Sequence, residues 1–117
     1  MEANIQPFSD PTPHRFFSIA SIRDIALMKL VAIAGRGSRK DFADLFLILQ
    51  NPPTLESYFD MLPEKYGASR INTYHILKSL TYFDDAEIEP MPHMLVPFDW
   101  EECKAFFIRQ ARAIVLP

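Results

Sequence analysis

Lys29 and Arg36 stand seven residues apart, and Asp41 and Asp44 follow at a spacing of three. Seven residues is about two helical turns, so the two cations share a stripe; three residues puts the two carboxylates on one helix face. Two cations and two carboxylates near one mouth have two readings. A Lys–Asp pair can tie two helices together, with Arg36 as a solvated helix end. Alternatively, Lys29 meets a phosphate while an aspartate accepts a proton or orients a group. That arrangement suits phosphoryl or nucleotidyl transfer, where catalysis is mostly positioning and charge stabilisation.

Helices must position these groups. In "IRDIALMKLVAIA", every residue after the first turn is apolar except Lys29. An all-apolar helix is a buried one, so the pattern predicts core around Lys29 with its ammonium reaching an opening. Ser21 and Asp24 form a capping-box variant that opens this helix. It is expected to run to about Ala34 and stop at Gly35 or Gly37 in a left-handed cap. The Gly35 to Ser38 turn would then fold the next helix back, so that Lys29 and Arg36 face one or both aspartates.

Ser38 is placed to cap a second helix over about 39–50, closed by Asn51, Pro52 and Pro53. Thr54 opens a third, with Pro63 trimming or kinking it and Gly67 ending it. A fourth is predicted over about 70–82, then an acidic, proline-rich connector. Asp99 and Glu102 cap a last helix, with Arg109 and Arg112 near its C-terminal end, where positive charge is favoured. Residues 1–13 read as a loose arm. Residues 14–21, "HRFFSIAS", read as a strand or extended tether that would need a partner sheet. The expectation is a mainly α fold, about five helices in a compact bundle. Residues 1–17 would be an N-terminal extended arm or the remnant of an upstream domain, and residues 18–117 the helical domain.

With 49% hydrophobic and 23% charged residues, these 117 residues have enough apolar material for one folded domain. The net charge of -3 advertises no basic face, so a nucleic-acid role would rest on a local patch. One cysteine excludes an internal disulfide and a cysteine-based zinc site. No signal peptide or long apolar run is present, which makes a cytoplasmic protein without a membrane segment the expectation.

The spacing of Lys29, Ala32, Arg36, Lys40, Asp41, Asp44 and Leu45 resembles the third motif of the AbiEii/AbiGii-type nucleotidyltransferase toxin family. The lead-in "SIASIRDIALMKLVAIAGRG" and the later "KSLTYFDDAEIEPMP" are also similar to the C-terminal half of its short members. The resemblance covers roughly residues 18 to 110. It implies the C-terminal helical part of an α+β nucleotidyltransferase of the polymerase beta-like superfamily, from bacterial toxin–antitoxin and phage-abortive systems. By that analogy Lys29 binds nucleotide phosphates with Arg36 in support, and Asp44 is the functional, catalytic acid with Asp41 in support.

Such enzymes also carry a Gly-Gly-Ser/Thr turn and a D-x-D pair that holds two divalent metals, and neither occurs in these 117 residues. The resemblance therefore implies no metal site or cofactor in this chain alone, and Mg2+ with a nucleoside triphosphate if the other half is supplied. The implied partners are an upstream nucleotidyltransferase half, in the same or a separate chain, or an antitoxin-like protein. A different class of reading is a non-catalytic helical interaction module derived from the family. An apolar helix without its sheet domain would also expose a patch and promote self-association.

The remaining chemistry-bearing residues read plainly. Asp84, Asp85, Glu87 and Glu89 lack the glycine and alternating ligands of a calcium loop and read as a solvated acidic loop. His14, His75 and His93 are scattered, with His75 at a helix surface or core edge. Cys103 reads as a small packing residue, although the dipole of the last helix could lower its pKa. Phe98, Trp100, Phe106 and Phe107 read as core anchors or, less directly, a partner surface.

Overall fold

The structure, a computed structural model, describes residues 19–116, so residues 1–17 and most of the strand-like "HRFFSIAS" lie outside the described residues. The fold is mainly α. Five helices of seven residues or more are α1 (Ile19–Arg36), α2 (Arg39–Ile48), α3 (Leu55–Tyr66), α4 (Thr73–Ser79) and α6 (Trp100–Ala113); a single turn, α5 (Asp84–Glu87), precedes the last. No strand occurs among the described residues. The end of the strand-like segment, residues 19–21, is helical and opens α1.

Local chemistry explains most boundaries. The hydroxyl of Ser38 accepts from Asp41 N at the start of α2, and that of Thr54 accepts from Ser57 N at the start of α3. Asp99 accepts from the backbone of Glu101 and Glu102 at the start of α6. Each supplies an acceptor to a helix donor that has no partner within the helix. Helix α4 starts later than its pattern predicts because Asn72 caps it by accepting from His75 N, and it ends at Ser79. Helix α1 begins two residues before Ser21, which places Ser21 in its first turn and not at the cap.

The expected left-handed cap of α1 is absent. Gly35 lies inside the helix, and of the three glycines only Gly67 has a positive φ, 90°, where it ends α3. Gly37 serves packing instead: a Cβ there would stand 2.8 Å from Cε2 of Phe42. The glycine lets the α1–α2 turn close onto that ring.

Helix α1 packs against α2, α3 and α4, while α2 also packs against α5 and α6. Leu30 of α1, Phe42 and Leu45 of α2, Tyr58 and Leu62 of α3, Ile76 of α4 and Phe107 of α6 meet in one buried cluster. Phe42 is its aromatic hub, with ring centroids 5.2 Å from Phe83, 5.5 Å from Phe107 and 6.0 Å from Trp100. Phe46 meets Phe98 and Phe106 edge-on. The four aromatic anchors are therefore core groups. Cys103 is buried among them; its thiol contacts Phe42 O, and loss of solvent pushes its pKa up to about 12, overriding the helix dipole.

Helix α1 is not buried all round. Ala26, Leu27, Leu30 and Ile33 face the core, but Met28 is 59% exposed and Ile22 37%. Its three neighbours cover one side of the helix and, among the described residues, leave Met28 uncovered.

Candidate functional site

The α1–α2 hairpin brings Lys29 onto both predicted aspartates. Lys29 Nζ lies 3.0 Å from Asp41 Oδ1 and 3.0 Å from Asp44 Oδ2. The three side chains are between 21% and 26% exposed, so the cluster sits at the surface edge of the core. Ser38 sets the geometry: by capping α2 it fixes where Asp41 starts along that helix. The buried residues Phe42, Leu45 and Phe46 then anchor the opposite face of α2.

Arg36 does not join them. Among the described residues it makes no ion pair, and it lines a separate cavity of about 330 Å³ with His75, Lys78 and Tyr82. The shared stripe sets the angle of Arg36 but not its height. Seven residues along α1 is a rise of about 10.5 Å, so Arg36 is level with the turn while the aspartates rise along α2 to the level of Lys29. The second cation of the cluster is Lys40, whose Nζ lies 2.8 Å from Asp44 Oδ2. An i,i+4 Lys–Asp spacing in "RKDFAD" is a legible signal for that pair.

The four charges balance. Partial burial disfavours the charge of Lys29, but hydrogen bonds to Asp44 and Asp41 outweigh it and raise its pKa above the ordinary lysine value. Partial burial also disfavours charge on Asp44, yet hydrogen bonds from Lys40 and Lys29 hold its carboxyl below the ordinary value. The cluster is thus a fixed ammonium and a fixed carboxylate at neutral pH. An ammonium carries three donors; among the described residues Asp41 and Asp44 take two of those on Lys29.

His75 has a structural partner that its sequence context does not announce. Its Nε2 lies 2.9 Å from Ala34 O, so it satisfies a carbonyl in the last turn of α1. The acidic loop is also more than a solvated surface. Glu87 accepts from Trp100 Nε1 and from Lys104 Nζ at 2.8 Å, and those two donors hold its pKa below the ordinary value. Arg39 donates to Ala86 O and Glu87 O at 3.0 Å each, with its guanidinium over the Trp100 ring. Glu89 accepts from Arg39 N at 2.7 Å. These contacts latch α5 to the start of α2 and to α6, a role set by residues distant in sequence. Among the described residues no three His, Cys, Asp or Glu side chains form a group that could hold a metal ion. No helix among them is long and apolar enough to cross a membrane.

The profile of a family described as nucleotidyl transferase AbiEii toxin, type IV toxin–antitoxin system, matches residues 2–113. An uncharacterized protein of Aquifex aeolicus (strain VF5) is 43% identical over 95 residues, covering 80% of this chain and 44% of that protein. The chain therefore spans less than half the length of this relative. No solved structure matches it.

Proposed function

The chain belongs to the nucleotidyl transferase AbiEii toxin family, and we propose that it forms the nucleotide-contacting helical part of a nucleotidyltransferase whose metal-binding carboxylates lie outside these 117 residues. The observation that carries this reading is Lys29 held between Asp41 and Asp44 at 3.0 Å, which among the described residues take two of its three ammonium donors. The third would take a nucleotide phosphate. The aspartates would keep the ammonium charged and aimed, so that it meets transition-state charge without reorganising.

Asp44 suits an orienting role better than that of a base. A carboxylate held ionised below its ordinary range is a weak proton acceptor at neutral pH. Asp41 and Asp44 do not suit Mg2+ either: both already hold Lys29, and Asp44 holds Lys40 as well. The metal chemistry of the reaction is then assigned to other carboxylates, and Arg36, about 10.5 Å from Lys29 along α1, stays outside this phosphate contact. On this reading the chain works in the cytoplasm, with nucleotides as substrate and an antitoxin as its neutralising partner.

A second reading, a helical interaction module without catalysis, draws on the same cluster: its ion pairs are complete without any substrate. Joining the chain to the metal-binding half of another family member separates the two. Nucleotide transfer by the joined protein is the expected result, and its absence in a folded, associated complex would support the module.

A further inference from the structure

Helices α1, α2 and α3 surround a second cavity, of about 500 Å³, which falls in the size range of small-molecule sites. Its wall is mainly apolar, with Ile22, Ile48 and Pro53, and Arg23, Asn51 and Tyr58 also line it. Tyr58 is fully buried, and among the described residues its hydroxyl has no hydrogen-bond partner. A buried hydroxyl without a partner is costly and calls for an explanation. Arg23 makes no ion pair among the described residues, and its charge is felt at the Tyr58 phenol. Apolar walls with a few unsatisfied polar groups are the pattern of a ligand pocket.

The cavity and Lys29 are both bordered by α1 and α2. Ile22 precedes Lys29 by seven residues on the same α1 stripe, a rise of about 10.5 Å. On α2, Ile48 follows Asp44 by four residues and so shares its face. This separation is comparable with the span from the terminal phosphate to the ring in an extended nucleoside triphosphate. We propose that this cavity receives the nucleoside end of a nucleotide whose phosphates sit at Lys29, with Asn51 and the Tyr58 hydroxyl hydrogen-bonding its polar edge. The inference rests on the nucleotide-contacting reading of Lys29 and adds where the nucleoside goes.

The test is a titration of the 117-residue chain with the four nucleoside triphosphates and, in parallel, with inorganic tripolyphosphate. Tyr58→Phe keeps the packing shape, and Asn51→Ala changes an exposed residue, so both variants should fold. Each is expected to weaken nucleotide binding about three- to tenfold, the worth of one hydrogen bond, and to leave tripolyphosphate binding unchanged. Lys29→Ala should weaken both ligands. Tyr58→Phe should also raise the Tm of the unliganded chain, because it removes the unpartnered hydroxyl. Wild-type nucleotide affinity in both pocket variants, with loss only in Lys29→Ala, would overturn the nucleoside pocket and leave the role of Lys29 standing. A wild-type chain that binds no nucleotide overturns the pocket outright, whereas the reading of Lys29 is decided by transfer in the joined enzyme.

Discussion

Lys29 Nζ stands 3.0 Å from Asp44 Oδ2, and the same carboxylate oxygen is 2.8 Å from Lys40 Nζ. One aspartate on α2 is thus shared by a lysine from the core-facing helix and a lysine from its own surface. The Lys29–Asp44 pair joins two helices and, on the proposed reading, keeps the ammonium charged for a phosphate.

Removing Lys29 tests the structural half. In Lys29→Ala, Asp41 and Asp44 lose their common cation, and only Asp44 keeps a partner in Lys40. The pair is partly exposed, so the cost falls between that of surface and buried pairs, about 1–2 kcal/mol. A fall in Tm of roughly 4–8 °C in a thermal melt is expected.

The cluster also predicts how stability depends on pH. Asp44 has a depressed native pKa, so its contribution is complete above the ordinary value of 3.8 and is lost as pH falls through the native value. Lys29 has a raised native pKa, so its contribution is complete below 10.5 and is lost as pH rises through the native value. Between those limits this cluster adds no slope. Denaturant midpoints across the range should show acid and alkaline losses, and Asp44→Asn should flatten the acid one.

Gly35, at the end of α1, and Gly37, in the α1–α2 turn, predict opposite outcomes. In Gly37→Ala the new Cβ would lie 2.8 Å from Phe42 Cε2, at the aromatic hub, and overpacking of this kind costs about 1–3 kcal/mol. Gly35 is helical, has no positive φ, and a Cβ added there would meet nothing within 4 Å. Gly35→Ala should stabilise by about 0.5–1 kcal/mol. Urea midpoints of the two variants check the contrast.

The exposed Met28 of α1 predicts association. Met28 is 59% exposed and lies one residue before Lys29. Sedimentation of the wild-type chain should show concentration-dependent self-association, and Met28→Glu should reduce it without lowering Tm.

Much of this architecture is legible in the sequence, and the differences have common causes. Ser38, Thr54 and Asp99 are readable as caps because capping is local chemistry, decided within three residues. The Lys29–Asp41–Asp44 cluster is readable because one short hairpin carries all three. Spacing alone misplaces Arg36, because it gives a side chain's angle on a helix while its height matters as much. Gly37 has the look of a cap, yet the reason for it is the Phe42 ring, a contact that spacing rules do not reveal. Glu87 and Glu89 read as solvated since their partners, Arg39, Trp100 and Lys104, come from other helices. Tyr58 gives no signal at all: an aromatic in "LESYFDM" reads as core, and the missing partner of its hydroxyl is a property of the packed state.

The central claim is that Lys29 contacts the nucleotide during transfer. The direct measurement joins the chain, as wild type and as Lys29→Ala, to a metal-binding half from the family and follows a labelled nucleotide into RNA and protein acceptors. Labelling is expected with wild type, and a loss of at least about a hundredfold with Lys29→Ala, the scale of removing one preorganised charge-stabilising donor. Labelling that persists in Lys29→Ala, in a complex shown to be folded, would contradict the claim.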